Sequence, residues 1–352
     1  MTVDELRGAP AFRALLAASA RAGRDPLQVQ GPGGNTSMKD GRIMLIKASG
    51  TWLAEAEERE VMVAVDLDAL RAAVAAGDPA ADQPQSFLVD DPAGGGLRPS
   101  IETAVHGALR HRIVIHTHCV ETIAVAARED AEAVVAERLA AFDAVFIPYV
   151  KPGAALAREI TTRIGPGTDV LVLGNHGLVV GAETAEAAED LAARVARALA
   201  RGARDGADPA DGFAAELEGS GWTAAPDPAT QALAMDPQRF ALAVGGSLYP
   251  DHVIFLGPGV VALRPEEPLA AGVARAEASP PRRLILAPGR GAAAPSDASP
   301  SVLALARALG DVAARIEPGA SLKRLSAEEE EALLDWDAEK HRQTLEAARA
   351  GR

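Results

Sequence analysis

Apolar positions Leu6, Phe12, Leu15 and Leu16, spaced among charges and alanines, predict an amphipathic helix over residues 4–22. A Gly-Pro-Gly-Gly-Asn loop follows at residues 31–35, and short apolar runs at 43–46 and 61–65 predict buried strands. Residues 67–76 predict a helix stopped by Gly77 and Pro79, and residues 77–99, dense in Gly, Pro and Asp, predict a surface loop. Ser100 reads as an N-cap, with Glu102 and Thr103 in the first turn of a helix running to about residue 110. Beyond it the pattern gives a strand at 113–117, helices at 121–128 and 131–140, strands at 145–147 and 170–173, and an alanine-rich helix at 182–200. Strands alternating with helices predict a layered α/β core of about 200 residues. The pattern weakens between residues 202 and 228 and then resumes. Strands at 253–256 and 284–286, a hairpin turn at Gly257-Pro258-Gly259 leading to 260–263, and helices at 302–316 and from 327 to about 348 are expected. The expected organisation is therefore a domain at 1–205, a linker at 206–227 and a smaller α/β region at 228–352, with no internal repeat of fixed period.

Composition narrows the classes of function. Of 352 residues, 35 are basic and 49 acidic, for a net charge of −14, which argues against nucleic-acid or membrane partners, since both are polyanionic surfaces. Lone Cys119 excludes an intrachain disulfide, and strand alternation directs it away from the face of its neighbour His118, into a small buried apolar role. The acidic start, MTVDELRG, is unlike a signal peptide, and no apolar run approaches the roughly 20 residues needed to span a bilayer, so a soluble cytoplasmic protein is expected. Lysine occurs only at 39, 47, 151, 323 and 340, asparagine only at 35 and 175, and tyrosine only at 149 and 249, which marks positions where the residue's chemistry is worth testing.

The chemistry concentrates in three segments. In Ile113-Val114-Ile115-His116-Thr117-His118 the side-chain period of two puts both imidazoles on one strand face, where they can converge on one ion. Alone, the pair fits a structural strand end as well as a ligand pair. His176, in Gly174-Asn175-His176-Gly177, sits where an apolar strand ends between glycines, and alone it fits a turn histidine. Glu102 lies on the helix that leads into the His-x-His strand. Three neutral imidazoles and one carboxylate suit zinc, and a displaceable carboxylate would open a catalytic position. His106 shares the helical face of Glu102 and is expected to support or pack against the site. His111, His252 and His341 are expected in solvent.

These residues fall in six ordered motifs: Gly33-Gly34-Asn35-Thr36-Ser37, Ile46-Lys47-Ala48-Ser49-Gly50, Ser100-Ile101-Glu102, His116-Thr117-His118, Pro148-Tyr149 and Asn175-His176-Gly177. In this order they resemble the zinc-dependent class II aldolase/adducin family over residues 10–200. The resemblance implies a three-layer α/β/α sandwich around a mixed sheet and a homotetramer with active sites at subunit interfaces. It implies one Zn2+ per subunit on His116, His118 and His176, with Glu102 as the carboxylate that binds metal at rest and moves a proton when substrate displaces it. Tyr149 matches a tyrosine that donates a proton from a neighbouring subunit. Gly34, Asn35, Ser49, Gly50 and Ser100 match a phosphate cradle, and Lys47 falls where some relatives carry a lysine facing the substrate. The implied reaction is cleavage or formation of a carbon-carbon bond in a small, phosphorylated ketose or keto acid, through a metal-stabilised enediolate.

Two departures bear on the substrate and layout. Ile101 stands where phosphate-binding members carry a second serine, which removes one hydroxyl donor. The chain also continues past residue 205, and its layout, including residues 334–340, resembles the aldolase half of rhamnulose-1-phosphate aldolase/alcohol dehydrogenase fusions. The alternatives on the same scaffold are sugar-phosphate 4-epimerisation and 3-oxo-acid decarboxylation. An adducin-like binding module is disfavoured because all three histidines are present with Glu102. Gly289, Gly291 and Ala294 satisfy a dinucleotide-type G-x-G-x-x-A pattern, but prolines delay the helix that pattern requires, so a turn joining a strand to a helix is expected there. Glu328 to Glu331 read as a solvated helix start, and Trp336 is expected to pack inward.

Overall fold

In the computed structural model, which describes residues 2–335, the chain divides into two units. Residues up to Thr122 together with Asp130–Leu199 make the first, and Ile123–Glu129 with the residues from Ala200 onward make the second.

The first unit opens with two helices where one is expected. α1 (Val3–Gly8) is closed by a Thr2/Glu5 capping box, and α2 (Pro10–Arg24) restarts after the extended Ala9. Pro10, which has no backbone N–H to give to a helix and whose ring disfavours a helical residue before it, enforces the break. There follow β1 (Asn35–Asp40), β2 (Ile43–Lys47), β3 (Met62–Asp66), α3 (Leu67–Ala76), α4 (Thr103–Ala108), β4 (Ile113–Thr117), α5 (Val120–Ala126), α6 (Ala131–Arg138), β5 (Ala144–Ile147), α7 (Ala154–Arg163), β6 (Val170–Leu173), β7 (Gly177–Ala182) and α8 (Ala185–Leu199). The seven strands form one mixed sheet in the order β3-β2-β1-β4-β7-β6-β5. Only the β5–β6 pair is parallel. Helices α3, α4 and α7 pack on one another, burying Ile46, Val65, Leu70 and Ala104 in one cluster and Val105, Leu109, Val114 and Ile160 in a second. α2 packs on α8 and on β1, and α8 on β7. The result is a three-layer α/β/α arrangement.

The strands absent from the sequence reading are β1 and β7. β1 reads Asn-Thr-Ser-Met-Lys-Asp, too polar for an apolar strand pattern, yet it lies between β2 and β4 with Asn35 to Lys39 all buried. Its polar side chains can sit there because they are hydrogen-bonded inside the protein. α4 also starts later than expected: Glu102 is its N-cap residue, and Ser100 forms the turn before it, accepting the Thr103 amide on its carbonyl at 3.0 Å.

The second unit contains α9 (Phe213–Glu216), β8 (Trp222–Ala224), α10 (Pro228–Met235), α11 (Pro237–Ala243), β9 (Val261–Ala262), α12 (Leu269–Glu277), β10 (Ile285–Ala287), β11 (Gly291–Pro295), α13 (Pro300–Arg315) and α14 (Ala327–Leu334). Its sheet runs β8-β11-β10-β9 over a core that includes Phe213, Trp222, Leu263 and Ile285. Four expectations change. Residues 206–227, expected as a linker, carry α9 and the edge strand β8, because Phe213, Leu217 and Trp222 are core residues hidden among Gly, Asp and Pro. The apolar run expected as a strand at 253–256 lies in a π-helical turn, His252–Leu256, since a short continuous apolar run does not by itself separate strand from buried helix. β9 pairs in parallel with β10, so Gly257-Pro258-Gly259 is not a hairpin turn. Gly289 sits in the turn between β10 and β11, which pair antiparallel, so the glycine pattern joins two strands and opens no helix. The expected continuation of the last helix to residue 348, Trp336 and His341 lie outside the described residues.

Candidate metal centre

β4 supplies the first two imidazoles. His116 and His118 are two residues apart at its C-terminal end, and both are buried. His116 Nδ1 lies 2.9 Å from the Leu178 carbonyl and donates to it, and Nε2 faces the centre. The β6–β7 turn brings the third. Leu173 pairs with Gly177 across this tight hairpin, and the turn residue Asn175 takes a left-handed φ of 53°, a conformation asparagine tolerates better than most residues. His176 then faces the strand end of β4, with imidazole centroids 4.9 Å from His116 and 5.2 Å from His118.

Two glycines allow this close approach. A Cβ on Gly177 would meet the Thr117 carbonyl oxygen at 2.4 Å, and one on Gly34, whose φ is +60°, would meet the His116 carbonyl oxygen at 2.9 Å. Any side chain at either position would push its segment away from β4.

Glu102, at the mouth of α4, closes the group. Its Oε2 is 3.3 Å from His116 Nε2 and its Oε1 is 3.3 Å from His176 Nε2, while His116 and His118 Nε2 are 3.2 Å apart. One donor atom from each of the four residues lies within 4.8 Å of every other. A tetrahedral ion with bonds of about 2.0–2.1 Å would space its donors about 3.3–3.4 Å apart. Glu102 Oε1 is buried and accepts no hydrogen bond. Three imidazole nitrogens and a buried carboxylate oxygen that accepts no hydrogen bond, brought this close together, are the donor set of a metal site, so the residues fit a divalent metal ion. Burial by itself would raise the Glu102 carboxyl, but the positive charge that His116 and His176 carry when protonated outweighs it and holds the group well below the usual carboxylate range; a bound cation would supply that charge in their place.

The remaining expected site residues surround this centre. Asn35 Nδ2 donates to Glu102 Oε2 at 2.8 Å and to Ser100 Oγ at 3.2 Å, and its carbonyl oxygen meets His106 Nε2. The amide is thus committed to the protein and does not stand free for a substrate. Residues 47–49 run beside 98–100, with Ser100 N on the Lys47 carbonyl at 3.0 Å and Ser49 N on the Arg98 carbonyl at 2.8 Å, so Ser49, Gly50 and Ser100 lie in adjacent turns. Lys47 is buried and its Nζ donates to the Pro32 carbonyl of the glycine loop at 2.9 Å, next to Gly34. Tyr149 is half-buried just after β5, its backbone nitrogen against Gly174, two residues before His176. Cys119 is buried, as expected, and burial raises its thiol. His111 and His252, expected in solvent, are both buried: His111 packs its ring on Gly181, and His252 is enclosed in the second unit by the π-helical turn. The sequence reading placed His106 beside Glu102 but missed its bonds to β1, because they become visible only once residues 35–40 are recognised as a strand.

Residues 13–201 match the model of the Class II Aldolase and Adducin N-terminal domain. A protein of Bacillus subtilis (strain 168), named an uncharacterized oxidoreductase, YuxG, is 30% identical over 169 residues, which are 44% of this chain and 24% of that protein. The chain therefore spans about a quarter of the length of that curated relative. Among solved structures, the N-terminal class II aldolase domain of a conserved protein from Thermoplasma acidophilum is 25% identical, with a TM-score of 0.47 over 53% of this chain and 90% of that one. A sugar-phosphate aldolase from Thermotoga maritima is 14% identical, with a TM-score of 0.43 over 55% of this chain and 93% of that one. No helix among the described residues is long and apolar enough to cross a membrane.

Proposed function

Since this chain belongs to the class II aldolase and adducin family, we propose that it is a zinc-dependent lyase, cleaving or forming a carbon-carbon bond next to the carbonyl of a small, phosphorylated ketose or keto acid. The observation that carries this reading is the buried set of Glu102, His116, His118 and His176, whose donor atoms stand 3.2–3.3 Å apart where the contacts are direct. A zinc ion held there supplies Lewis-acid stabilisation of the negative charge that develops on the substrate oxygens.

The protein side of the chemistry follows from the same residues. His116, His118 and His176 would hold the ion as neutral ligands, with Glu102, at the N-terminus of α4, as the fourth. The Glu102 carboxylate is the group beside the substrate carbon that removes or returns its proton. Ser100 Oγ already accepts from Asn35 and from the Glu102 amide at 3.2 Å each, which leaves its O–H to donate to a substrate anion. With Ser49 and the glycine loop around Gly34 it forms the end of the pocket that takes a phosphate or carboxylate, and Ile101 makes that end poorer in donors. Tyr149 is the proton donor to the aldehyde oxygen in this reading, acting from one subunit of a homotetramer on the site of the next.

The test is exchange of a carbon-bound proton for deuterium. Dihydroxyacetone phosphate or a pyruvate-type donor, incubated with zinc-loaded protein in D2O and followed by NMR, is expected to exchange with wild-type protein and not with Glu102→Gln. Condensation with an aldehyde panel then names the substrate. Zinc-loaded protein that exchanges no donor proton contradicts the lyase reading and directs attention to epimerase and decarboxylase assays.

A further inference from the structure

β1 and α4 meet through a line of buried polar side chains that the reaction described above does not use. Strand alternation places Asn35, Ser37 and Lys39 on one face of β1. One helical turn separates Glu102 from His106, whose backbone amide donates to the Glu102 carbonyl at 3.2 Å. Between the two elements Ser37 Oγ stands 2.7 Å from His106 Nδ1, His106 Nε2 meets Asn35 Oδ1, and Asn35 Nδ2 reaches Glu102 Oε2 at 2.8 Å. Farther along, Lys39 Nζ donates to the Leu109 carbonyl at 2.6 Å, and Arg71 donates to the Gly107 and Leu109 carbonyls, so the end of α4 is fixed as well.

The donors in this line can run in one direction only. An ionised carboxylate accepts and never donates, so Asn35 must turn its NH2 group to Glu102 and its carbonyl oxygen to His106. That oxygen requires an N–H, which puts the His106 proton on Nε2. Nδ1 is then bare and must accept from the Ser37 hydroxyl. Reversing any one member sets two acceptors against each other inside the protein, where neither can turn to water.

We propose that His106 is a positioning residue of the metal centre: through the Asn35 amide it fixes Oε2 of Glu102 against the three imidazoles and so sets the affinity of the site for a divalent cation. This rests on the reading of Glu102, His116, His118 and His176 as metal ligands. A residue that serves packing alone would affect folding stability and leave the affinity of the folded protein where it was.

The experiment compares zinc affinity, by competition with a chromophoric chelator, in the full chain carrying His106→Leu or His106→Gln, with thermal melting in EDTA as the control for folding. His106→Leu is expected to bind zinc roughly 10- to 100-fold more weakly. His106→Gln, whose amide can still donate to Asn35, is expected to recover most of that loss. Wild-type affinity in the leucine variant, or no recovery in the glutamine variant, overturns the inference. A wild-type chain that takes up no divalent ion overturns both this and the metal reading, whereas zinc-binding wild type with an indifferent His106→Leu overturns this inference alone. Should the leucine variant fail to fold, Ser37→Ala removes only the far donor. With asparagine at only two positions in the chain, asparagine-selective 15N labelling shows two side-chain amide pairs. Ser37→Ala is expected to shift the Asn35 pair and to weaken zinc binding, and unchanged resonances with unchanged affinity overturn the inference.

Discussion

Glu102 carries two requirements that conflict unless something else is bound: it is buried, and it is ionised. Three imidazoles at its side favour the charge, but neutral histidines ligate best, so the resting site depends on pH through both partners. Protons compete with a metal ion for imidazole nitrogens, and zinc affinity is expected to fall steeply as the pH drops from 7 to 5.5. A chelator titration across that range checks it, and an affinity independent of pH would mean that imidazoles are not the ligands. Tyr149→Phe is expected to lower turnover on a confirmed substrate by roughly 100-fold or more while leaving zinc affinity unchanged. Turnover equal to wild type would exclude the tyrosine as the proton donor. At this scale the sequence was informative where one residue type did one job: His116 and His118 can be read from a strand period of two. It marked Asn35 for a phosphate cradle and did not show that its amide faces Glu102, Ser100 and His106, because three partners from one distant segment leave no local pattern.

The elements place those residues by close backbone approach more than by apolar packing. β7 reaches the end of β4 because Gly177 has no Cβ, and β1 does so because Gly34 has none. Gly177→Ala is therefore expected to cost about 1–3 kcal/mol in stability and to weaken zinc binding, since His176 moves with the hairpin. Urea unfolding together with a zinc titration measures both, and a variant with wild-type values would show that the hairpin has room to yield. Apolar runs announced β2 to β6 and the helices α3 to α6, but not α7 (Ala154–Arg163). β1 escaped notice because its burial is satisfied by hydrogen bonds and not by apolar side chains. The π-helical turn at His252–Leu256 escaped because its apolar residues are buried on all sides, which erases the periodicity that separates helix from strand.

Across the whole chain the two units carry different chemistry. The metal-type residues and most of the matched family region lie in the first, and the second holds a buried histidine of its own. Burial pushes His252 down from an ordinary value of 6.5 to about 4. The folded protein therefore resists a proton that the unfolded chain accepts. Its contribution is intact above about pH 6.5 and is lost as the pH falls toward 4, by about 3 kcal/mol in all. Urea unfolding followed from pH 7 to pH 4 is expected to show this loss, and His252→Leu to flatten it; an equal slope in the variant would assign the loss to other groups. The net charge of −14 describes the protein's surface and says little about a centre where one carboxylate faces three imidazoles. That centre is the central claim, and it is tested most directly by measuring divalent metal in freshly purified full-length protein and again after dialysis against zinc. Close to one ion per chain is expected in the wild type, with a large loss in His118→Ala. Wild-type protein that holds no divalent metal and takes up none would contradict it.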